Sequence, residues 1–573
     1  MKEFEGKTLQ SYTKDELVCL CDRLRDTIRE TVLQCGGHLS SNLGAVESTV
    51  ALFYTFDFTK DKIVFDVGHQ CYAYKLLSGR ADRFSSLRKK DGLSGFPKRA
   101  ESIYDCYDTG HAGNSISAAL GLAKARDLRG GNEYVVAYIG DGSFHNGLVY
   151  EALNSIRILH TNVLIVLNDN GMSISPTVGG FHDILTDLRN NFDAEKIRLL
   201  ESFGLSYIGV KDGNDVSEMI DALQECKQRL SEGSVLLHIS TRKGKGYAFS
   251  EDDPVETHGV APSGVTLETE YASVLGEALC TLAKDNKEIA VVCAAMKEPL
   301  GLSDFFAQYP DRAFDVGICE EHAAVLCAAL SIGGLKPYYA VYSTFLQRAF
   351  DEIIHDVCAQ DLPVTFCIDR AGISGADGET HQGVFDLSYL QCIPNITLAV
   401  PKNILEFEEM LAFSATYPHP LAIRYPRSGK AAFTTQKTPI IPGKWELLHH
   451  AKDTKTAVIG VGERALCIAM QALETLQAQG KDFDIVNARF VKPMDWELLT
   501  ERGYTQIVTI EDNVFIGGFG ANLNAEFMRR GMCCCVRNFA YTDAFIPQGS
   551  VAQLQSEYGV DTQEVIGYLT EIL

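Results

Sequence analysis

The feature of this sequence that most constrains its fold is a repeated alternation between short apolar runs and longer amphipathic stretches. The runs have strand length, and the stretches between them are long enough for helices. Apolar strands separated by helices indicate parallel sheets covered on both faces, so we predict an α/β protein. The predicted strands are Tyr134–Ile139, Val163–Asn168, Val235–Ile239, Ile289–Cys293, Tyr338–Tyr342, Val364–Ile368, Leu421–Tyr425, Ala457–Val461, Phe483–Val486, Ile507–Ile510 and Cys533–Val536.

Two polar, proline-containing stretches divide the chain, Ser250–Thr266 and Arg427–Gly443. A chain of 573 residues is long enough for three or four domains at roughly 100–200 residues each. We therefore predict three doubly wound, mostly parallel-sheet domains spanning residues 1–265, 266–430 and 431–573.

Composition excludes several classes of protein. Apolar residues make up 46% of the chain and charged residues 22%, which is typical of globular proteins. The net charge of -23 argues against a broad basic surface for nucleic acid, although it leaves room for a local pocket that binds a small phosphate. No apolar run approaches the ~20 residues of a membrane span, and the first residues lack an apolar signal core. We expect a cytoplasmic protein without membrane or nucleic-acid partners.

The 17 cysteines are scattered along the chain and form no C-x-x-C pair. We expect most of them to be small buried side chains in a reducing compartment, not a metal or disulfide framework. The run Cys533–Cys535 is expected to lie in a strand because its surroundings are apolar.

Two polar turns follow predicted strands of the first segment. One strand runs into Gly140–Ser143 (GDGS), and the next runs into Asn168–Asn170 (NDN). The carboxyl ends of neighbouring parallel strands are where α/β sheets bind ligands. A carboxylate and a carboxamide, with a diphosphate completing the shell, suit Mg²⁺, and glycines let the backbone approach phosphate. Either turn alone is an ordinary polar turn, but the pair predicts a site for a metal and a diphosphate.

This pair of turns resembles the thiamine-diphosphate-binding motif, and longer blocks resemble the 1-deoxy-D-xylulose-5-phosphate synthase family. The blocks are more specific than the turns, because any thiamine-diphosphate enzyme can carry the turns. The resemblance implies a transketolase-like architecture, in which domains that bind diphosphate and pyrimidine precede a transketolase-type C-terminal domain. The matching blocks are Gly36–Gly44 (GGHLSSNLG), Phe65–Arg80, Phe314–Ala323 (FDVGICEEHA), Tyr342–Val357, Ile368–Leu390 and Asp543–Ser550 (DAFIPQGS).

The resemblance also implies a reaction and an assembly. The family condenses pyruvate with D-glyceraldehyde 3-phosphate, releasing CO₂ and forming 1-deoxy-D-xylulose 5-phosphate at the entry to non-mevalonate isoprenoid synthesis. It works as a homodimer with thiamine diphosphate and Mg²⁺, and one chain supplies each site. Two alternatives stay open: a ketol-transferring, transketolase-like paralogue, and an inactive cofactor-binding paralogue. The presence of Asp141, Asn170 and Glu320 argues against the inactive form.

Site residues are implied by position in the matching blocks. The magnesium ligands are Asp141, Asn170 and the carbonyl of Met172. The cofactor contacts are His69, Gly110, His111, Ala112, Gly142, Ser143, Asn170, Tyr247, Glu320 and Phe345. The catalytic polar groups are Glu320, His38, His258, Asp377 and His381. The substrate-phosphate residues are Tyr342, Arg348, Arg370 and Arg427, with Arg424 as the competing choice for the last.

The chemistry explains these residue types. A carboxylate at Glu320 would favour the imino form of the aminopyrimidine, whose nitrogen takes the thiazolium proton. Histidine suits proton transfer near pH 7, and guanidinium groups fork onto phosphate. Each residue also has a plainer interpretation. Glu320 could be a surface glutamate, the histidines core or turn residues, and Arg370 a structural arginine paired with Asp369 or Asp377.

The chain departs from the family pattern in several places. The connector between His258 and Tyr271 is short, and Gly171 stands where a glutamate is common. The sequences of His111–Ser115 (HAGNS) and Ser143–Gly147 (SFHNG) also differ from those usual in the family. Two glycine-rich loops fall short of G-x-G-x-x-G and no Walker A sequence occurs, so a Rossmann dinucleotide site is not expected.

Overall fold

The computed structural model describes residues 8–191, 193–262, 269–429 and 438–573. The chain forms two compact units, one of residues Met1–Val265 with Gly317–Cys319 and one of Thr266–Val316 with Glu320–Leu573. The predicted domain boundaries at 265/266 and 430/431 lie outside the described residues. No helix in the described ranges is long and apolar enough to cross a membrane.

The first unit is built on one five-stranded parallel sheet with the order β1-β2-β3-β5-β4. Its strands are β1 (Lys62–Phe65), β2 (Val135–Gly140), β3 (Leu164–Asp169), β4 (Leu205–Asp212) and β5 (Ser234–Ser240). Its α-helices are Lys14–Cys35, Ser40–Gly44, Val46–Thr55, Tyr72–Lys75, Ser115–Arg129, Asp141–Phe144, Gly147–Leu159, Gly180–Asn190, Ala194–Glu201, Val216–Arg229 and Ala248–Asp252.

Helices cover both faces of this sheet, as its apolar strands predict. Val136 and Tyr138 pack with helices Lys14–Cys35 and Val46–Thr55 in one core cluster. Ala137, the residue between them, faces a separate cluster with helix Ser115–Arg129. Successive strand residues point to opposite faces, so a doubly wound sheet needs apolar side chains at every position.

The second unit contains a seven-stranded sheet and a five-stranded sheet. One has the order β17-β11-β12-β10-β9-β7-β8 and is parallel except for β17, and the other has the order β14-β16-β15-β18-β19 and is parallel except for β14. A short antiparallel pair joins β6 to β13. The strands are β6 (Thr269–Glu270), β7 (Ile289–Cys293), β8 (Ala313–Asp315), β9 (Lys336–Tyr342), β10 (Thr365–Asp369), β11 (Thr397–Ala399), β12 (Leu421–Arg424), β13 (Ser428–Gly429), β14 (Glu446–His449), β15 (Thr456–Val461), β16 (Asp484–Asn487), β17 (Phe490–Lys492), β18 (Gln506–Val514) and β19 (Cys535–Tyr541).

Helices between these strands complete the α/β pattern. They are Tyr271–Asp285, Ser303–Gln308, Glu320–Ile332, Ser343–Leu346, Phe350–Glu352, Asp386–Gln391, Ile404–Ser414, Glu463–Gln477, Trp496–Arg502, Phe519–Arg529, Val551–Glu557 and Thr562–Ile572. The predicted fold class is confirmed: three mostly parallel sheets lie among helices.

The cysteine predictions are wrong in two respects. The last strand begins at Cys535, where pairing with Gln506 starts, so Cys533 and Cys534 precede it. Only seven of the 17 cysteines are buried, and Cys533 and Cys535 are exposed. An apolar run at the surface edge of a sheet looks like core in the sequence, because hydrophobicity alone does not report exposure.

Candidate active site

The two polar turns of the first unit lie side by side. Strands β2 and β3 are parallel neighbours, and Gly140 pairs with Asn168 at their carboxyl ends. Asp141 and Asn170 follow these strands directly. The predicted juxtaposition of the GDGS and NDN turns is therefore confirmed.

Gly142 is required by the close packing of these turns. A Cβ on Gly142 would lie 2.6 Å from the Cβ of Ser173, which is closer than side-chain atoms approach. Ser173 belongs to the loop after β3, and its amide donates to the carbonyl of Ser175 at 2.9 Å. Met172 pairs with Pro176 across the same loop. The absence of a side chain at Gly142 thus lets the first turn sit against the loop that carries Met172.

Asp141 is a buried carboxylate with unsatisfied oxygens. Its side chain is 1% exposed, and neither oxygen has a hydrogen-bond partner among the described residues. Burial and the charge of Asp169 raise the pKa of this carboxyl above its ordinary value. No group of three His, Cys, Asp or Glu side chains in the described ranges could hold a metal unaided. A divalent cation that also binds phosphate oxygens fits the orphaned carboxylate.

The three residues of the NDN turn differ in how firmly they are held. The side chains of Asn168 and Asp169 are bound by side chains from other segments, whereas the Oδ1 of Asn170 accepts a 3.1 Å bond from the amide of Met172 in its own loop. Asn170 is therefore the residue of the turn whose side chain is least committed to other segments among the described residues. The fixing partners are Gln70 and Thr241 for Asn168, and Arg189 and His238 for Asp169.

Three predicted histidines of the first unit form one cluster. The rings of His38, His69 and His258 lie 5.4–5.7 Å apart between centroids. Burial and neighbouring positive charge, including Lys243, lower the pKa of His69 and of His258 well below the ordinary range. The lowered pKa values favour neutral imidazoles at these positions, each of which can donate one hydrogen bond and accept another.

The remaining predicted cofactor contacts of the first unit lie on loops, except Ser143, which lies in a short helix. Gly110 and Ala112 are buried and His111 is half-buried. Asp66 holds the residues that follow, because its oxygens accept the amides of Gly113 at 2.8 Å and Ser115 at 3.0 Å. Ser143 is buried in helix Asp141–Phe144, while half-buried Tyr247 lies 5.8 Å beneath the Arg29 guanidinium.

Glu320 begins a helix of the second unit and is buried. It is 3% exposed, its Oε2 has no partner among the described residues, and burial raises its pKa to about 7. Arg348 lies near enough to oppose this shift. The interpretation of Glu320 as a surface glutamate is therefore wrong, and the carboxyl is available to a group that can share a proton with it.

An aromatic stack lies at the carboxyl end of β9. The rings of Tyr342 and Phe345 are stacked with centroids 5.4 Å apart, and His381 meets Phe345 edge-on at 5.6 Å. The guanidinium of Arg370 lies 4.1 Å from the centroid of the Tyr342 ring. Aromatic and charged groups predicted from separate sequence blocks are thus brought together here.

The predicted phosphate-binding arginines have unequal surroundings. Arg370 pairs with the buried carboxylate of Asp369 at 2.7 Å, one of the two partners that its structural interpretation named. Arg427 is 49% exposed and pairs with Glu270 at 3.0 Å. Arg348 lies in a helical turn, as predicted.

The competing choice, Arg424, is buried and its Nε and Nη2 are bonded to neighbouring groups. Its Nε donates to both oxygens of Asp386, at 2.8 and 2.9 Å, and its Nη2 donates to backbone carbonyls. A guanidinium held in this way has little capacity left for a phosphate, so the structure favours Arg427 over Arg424.

Asp377 and His381 lie in one loop between β10 and helix Asp386–Gln391, and both are half-buried. The Nδ1 of His381 lies 2.9 Å from the Oγ1 of Thr380. The loop therefore brings the two predicted catalytic groups onto a single short segment.

Sequence reasoning missed Lys243, which lies close to the predicted site. Its Nζ donates to the carbonyl of Ser173 at 2.5 Å, and burial lowers its pKa to about 8 despite the nearby charge of Asp141. The available signal was position: Lys243 follows β5, the neighbour of β3, at the same edge of the sheet. Asp66 was also missed, although it likewise directly follows a strand of this sheet, β1.

Comparison with known proteins matches this chain to three family models. The family model described as 1-deoxy-D-xylulose-5-phosphate synthase matches residues 4–199 and 190–241. The transketolase pyrimidine-binding domain matches residues 268–430, and the transketolase C-terminal domain matches residues 443–565. Together these models span most of the chain.

Named relatives match over nearly the full length. The 1-deoxy-D-xylulose-5-phosphate synthase of Clostridium botulinum is 44% identical over 97% of this chain and 96% of its own. That of Clostridium perfringens is 40% identical over 99% and 98%. Among solved structures, a transketolase from Campylobacter jejuni covers 100% of both chains with 17% identity and a TM-score of 0.47. Because these two synthases are 44% and 40% identical to this chain over nearly its full length, the chain belongs to the 1-deoxy-D-xylulose-5-phosphate synthase family.

Proposed function

We propose that this chain condenses pyruvate with D-glyceraldehyde 3-phosphate, releasing CO₂ and forming 1-deoxy-D-xylulose 5-phosphate. This is the first step of the non-mevalonate isoprenoid pathway. The observation that carries the proposal is Glu320, a buried carboxyl with an unsatisfied oxygen inside a transketolase-type pyrimidine-binding domain. Membership of the synthase family favours this condensation over the ketol transfer of a transketolase.

The cofactor would be thiamine diphosphate with Mg²⁺. Asp141, Asn170 and the Met172 carbonyl would hold the metal, since the buried oxygens of Asp141 have no hydrogen-bond partner among the described residues. The missing side chain of Gly142 lets the turn that carries Asp141 pack against Ser173, in the loop that carries Met172, where the diphosphate would also be bound. When bound, thiamine diphosphate supplies the nucleophilic carbon and the electron sink that decarboxylation requires.

The chain's own groups then handle protons. Glu320 would donate a hydrogen bond to, or share a proton with, a pyrimidine nitrogen, and its raised pKa of about 7 lets it exist in both forms near neutral pH. His38, His69 and His258 are clustered within the first unit and would supply its imidazole groups for hydrogen bonding and proton transfer. His381 and Asp377 would serve the same purpose on the second unit.

The acceptor phosphate would be held by positive side chains near the aromatic stack. The positive charges of Arg370 and Arg427 both oppose the rise in the pKa of Tyr342 that burial causes, so both guanidinium groups lie near this ring. Arg348 lies near Glu320 instead, and its charge would bear on the cofactor as well as on substrate. In a protein with a net charge of -23, local guanidinium groups must supply the attraction for an anion.

We also propose that the chain acts as a homodimer in the cytoplasm, as the family resemblance implies. Its small-molecule partners would be pyruvate and D-glyceraldehyde 3-phosphate, with no role for nucleic acid or membrane.

Product analysis tests the proposed reaction. Purified protein is incubated with isotopically labelled pyruvate, D-glyceraldehyde 3-phosphate, thiamine diphosphate and Mg²⁺, and the products are identified by NMR. We expect labelled 1-deoxy-D-xylulose 5-phosphate and one CO₂ per product. A parallel reaction with a ketose phosphate donor in place of pyruvate is the control. Ketol transfer in the control without condensation of pyruvate would identify a transketolase-like paralogue, and no product in either would identify an inactive one.

A further inference from the structure

The loop that carries Asp377 and His381 is closed at its base. It leaves β10 and returns to helix Asp386–Gln391, and its two ends pair through glycines. The amide of Gly372 donates to the carbonyl of Gly383 at 2.7 Å, and the amide of Gly383 donates back at 2.8 Å. The geometry of the loop therefore depends on what fixes this base.

Asp512, on β18 of the other sheet of the same unit, lies against this base. Its Oδ1 accepts the amide of Ile373 at 3.1 Å and the hydroxyl of Tyr541 at 2.6 Å. The approach is so close that a Cβ on Gly372 would lie 1.9 Å from the Oδ2 of Asp512. Gly372 also has φ +78°, so both space and backbone conformation require glycine there.

A cation completes the attachment. Arg464, on helix Glu463–Gln477, donates to the Oδ2 of Asp512 and to the carbonyl of Ile373, at 2.7 and 2.8 Å. Both backbone polar groups of Ile373 are thus bound by one ion pair. Charge-assisted bonds of this kind are stronger and more directional than neutral ones.

The far end of the loop is tied to the same domain by a second side chain. The Oε1 of Gln382 accepts the amides of Ser374 and Gly375, at 2.7 and 3.1 Å. Its Nε2 donates to the carbonyls of Gly375 and Pro547, both at 3.1 Å. The segment between residues 373 and 382 is therefore held at both ends by groups that are not themselves predicted to touch cofactor or substrate.

We propose that Asp512, together with Arg464, is a positioning residue that sets the loop carrying Asp377 and His381 for binding of the phosphorylated acceptor. The loop contacts the predicted phosphate-binding residues through His381, whose ring lies 5.6 Å from Phe345 in the stack with Tyr342. This assigns a role in the reaction to the transketolase-type C-terminal domain, which supplies none of the implied site residues. The inference rests on the proposed function for its kinetic part only.

The test uses Asp512→Asn in the full-length protein, with Asp484→Asn as a matched control. Asp484 is also buried, and it accepts a tyrosine hydroxyl from Tyr504, a guanidinium from Arg502 and a backbone amide from Ala451. None of these partners belongs to the loop. The control therefore removes an equivalent buried charge from the same sheet without touching the loop.

Two readouts are measured. The first is hydrogen exchange of the backbone amides in residues 373–382, and the second is the KM for each substrate. We expect Asp512→Asn to accelerate exchange in this segment and to raise the KM for D-glyceraldehyde 3-phosphate about ten- to a hundredfold, with the KM for pyruvate changed less than about twofold. Asp484→Asn should lower the melting temperature without either effect.

Unchanged exchange in the loop would overturn the proposal, as would equal rises in both KM values that the control reproduces. The exchange measurement needs no activity, so it decides the positioning role even if the wild-type protein forms no product. Should Asp512→Asn fail to fold, Arg464→Gln gives the same test. Arg464 is partly exposed and contacts the same carboxylate and the same residue of the loop.

Discussion

At the scale of single residues, Asp141 and Glu320 are central because each is buried with an oxygen that has no hydrogen-bond partner in the part of the chain that the structure describes. A buried, unsatisfied carboxylate costs stability, so a folded protein retains one where a ligand will compensate it. Burial raises the pKa of both groups, which means that each holds a proton more tightly in the folded chain than in the unfolded chain. These are the residues at which function and stability conflict.

The first prediction concerns Asp141. Because its folded pKa is raised, ionisation of this carboxyl destabilises the cofactor-free protein as pH rises above the ordinary aspartate pKa of about 4. Asp141→Asn removes that cost, so its melting temperature at about pH 8 should exceed that of the wild type by several degrees. Calorimetry should at the same time show no Mg²⁺-dependent binding of thiamine diphosphate.

Asp183→Asn is the control for this prediction, since Asp183 is an exposed carboxylate of the same unit. It should change neither the melting temperature nor cofactor binding. Wild-type affinity in Asp141→Asn would show that Asp141 is not a metal ligand.

The second prediction compares Arg370 and Arg427, two of the three arginines predicted to bind the substrate phosphate. Arg370→Ala strands the buried carboxylate of Asp369 and should cost about 3–5 kcal/mol of unfolding free energy. Arg427→Ala breaks only an exposed pair with Glu270 and should cost at most about 1 kcal/mol. Urea unfolding measures both values.

Each of these variants should also raise the KM for D-glyceraldehyde 3-phosphate about tenfold to a hundredfold, because a charge-assisted bond to phosphate is lost. The KM for pyruvate should change far less. If Arg370→Ala is destabilised but shows no selective rise in KM, Arg370 is a structural residue only.

At the scale of elements, Asp66 links β1 to the loop and helix that carry predicted cofactor contacts. Helix Ser115–Arg129 receives no cap from the side chain of Asn114, and Asp66 takes that role by accepting the amides of Gly113 and Ser115. The helix start and the preceding loop are thus fixed by a residue some fifty positions earlier in the chain.

The third prediction is that Asp66→Ala lowers the unfolding free energy by about 1–3 kcal/mol and weakens thiamine diphosphate binding. Asp61→Ala is the matched control: Asp61 lies at the other end of β1 and accepts two backbone amides, from Asp57 and Tyr134. It should cost similar stability and leave cofactor affinity unchanged. Equal losses of affinity in both variants would mean that Asp66 acts only through general stability.

How much of this could be predicted from the sequence depends on the element. Central strands such as β2, β3 and β7 are apolar on both faces, so their runs locate them to within a residue. Edge strands such as β4 bury only some of their side chains and lack that signal. The antiparallel strand β17 joins a sheet whose other members lie far earlier in the chain, which local pattern does not reveal.

The same holds for the site. Asp141 and Asn170 follow apolar strands in a short, recognisable spacing and were predicted from the residues together with the family resemblance. Lys243 and Asp512 were not, because their roles depend on contacts between segments distant in sequence. Local pattern predicts elements and turns, whereas supporting contacts come from the packing of the folded chain.

At the scale of the whole molecule, the chain divides its predicted cofactor carboxylates between its units, with Asp141 in the first and Glu320 in the second. The fourth prediction concerns assembly. Light scattering should give twice the mass of the chain across the working concentration range, as expected for a homodimer. A monomer mass in fully active protein would contradict that part of the proposal.

The measurement that tests the central claim most directly is the rate at which the C2 proton of bound thiamine diphosphate exchanges with solvent. We compare wild type, Glu320→Gln and the control Glu321→Gln by NMR after rapid quenching, with cofactor binding checked by calorimetry. Glutamine keeps the shape of the side chain but removes the exchangeable charge, so Glu320→Gln should bind cofactor yet exchange slower by orders of magnitude. Glu321→Gln should exchange at the wild-type rate. Wild-type exchange in Glu320→Gln would contradict the account.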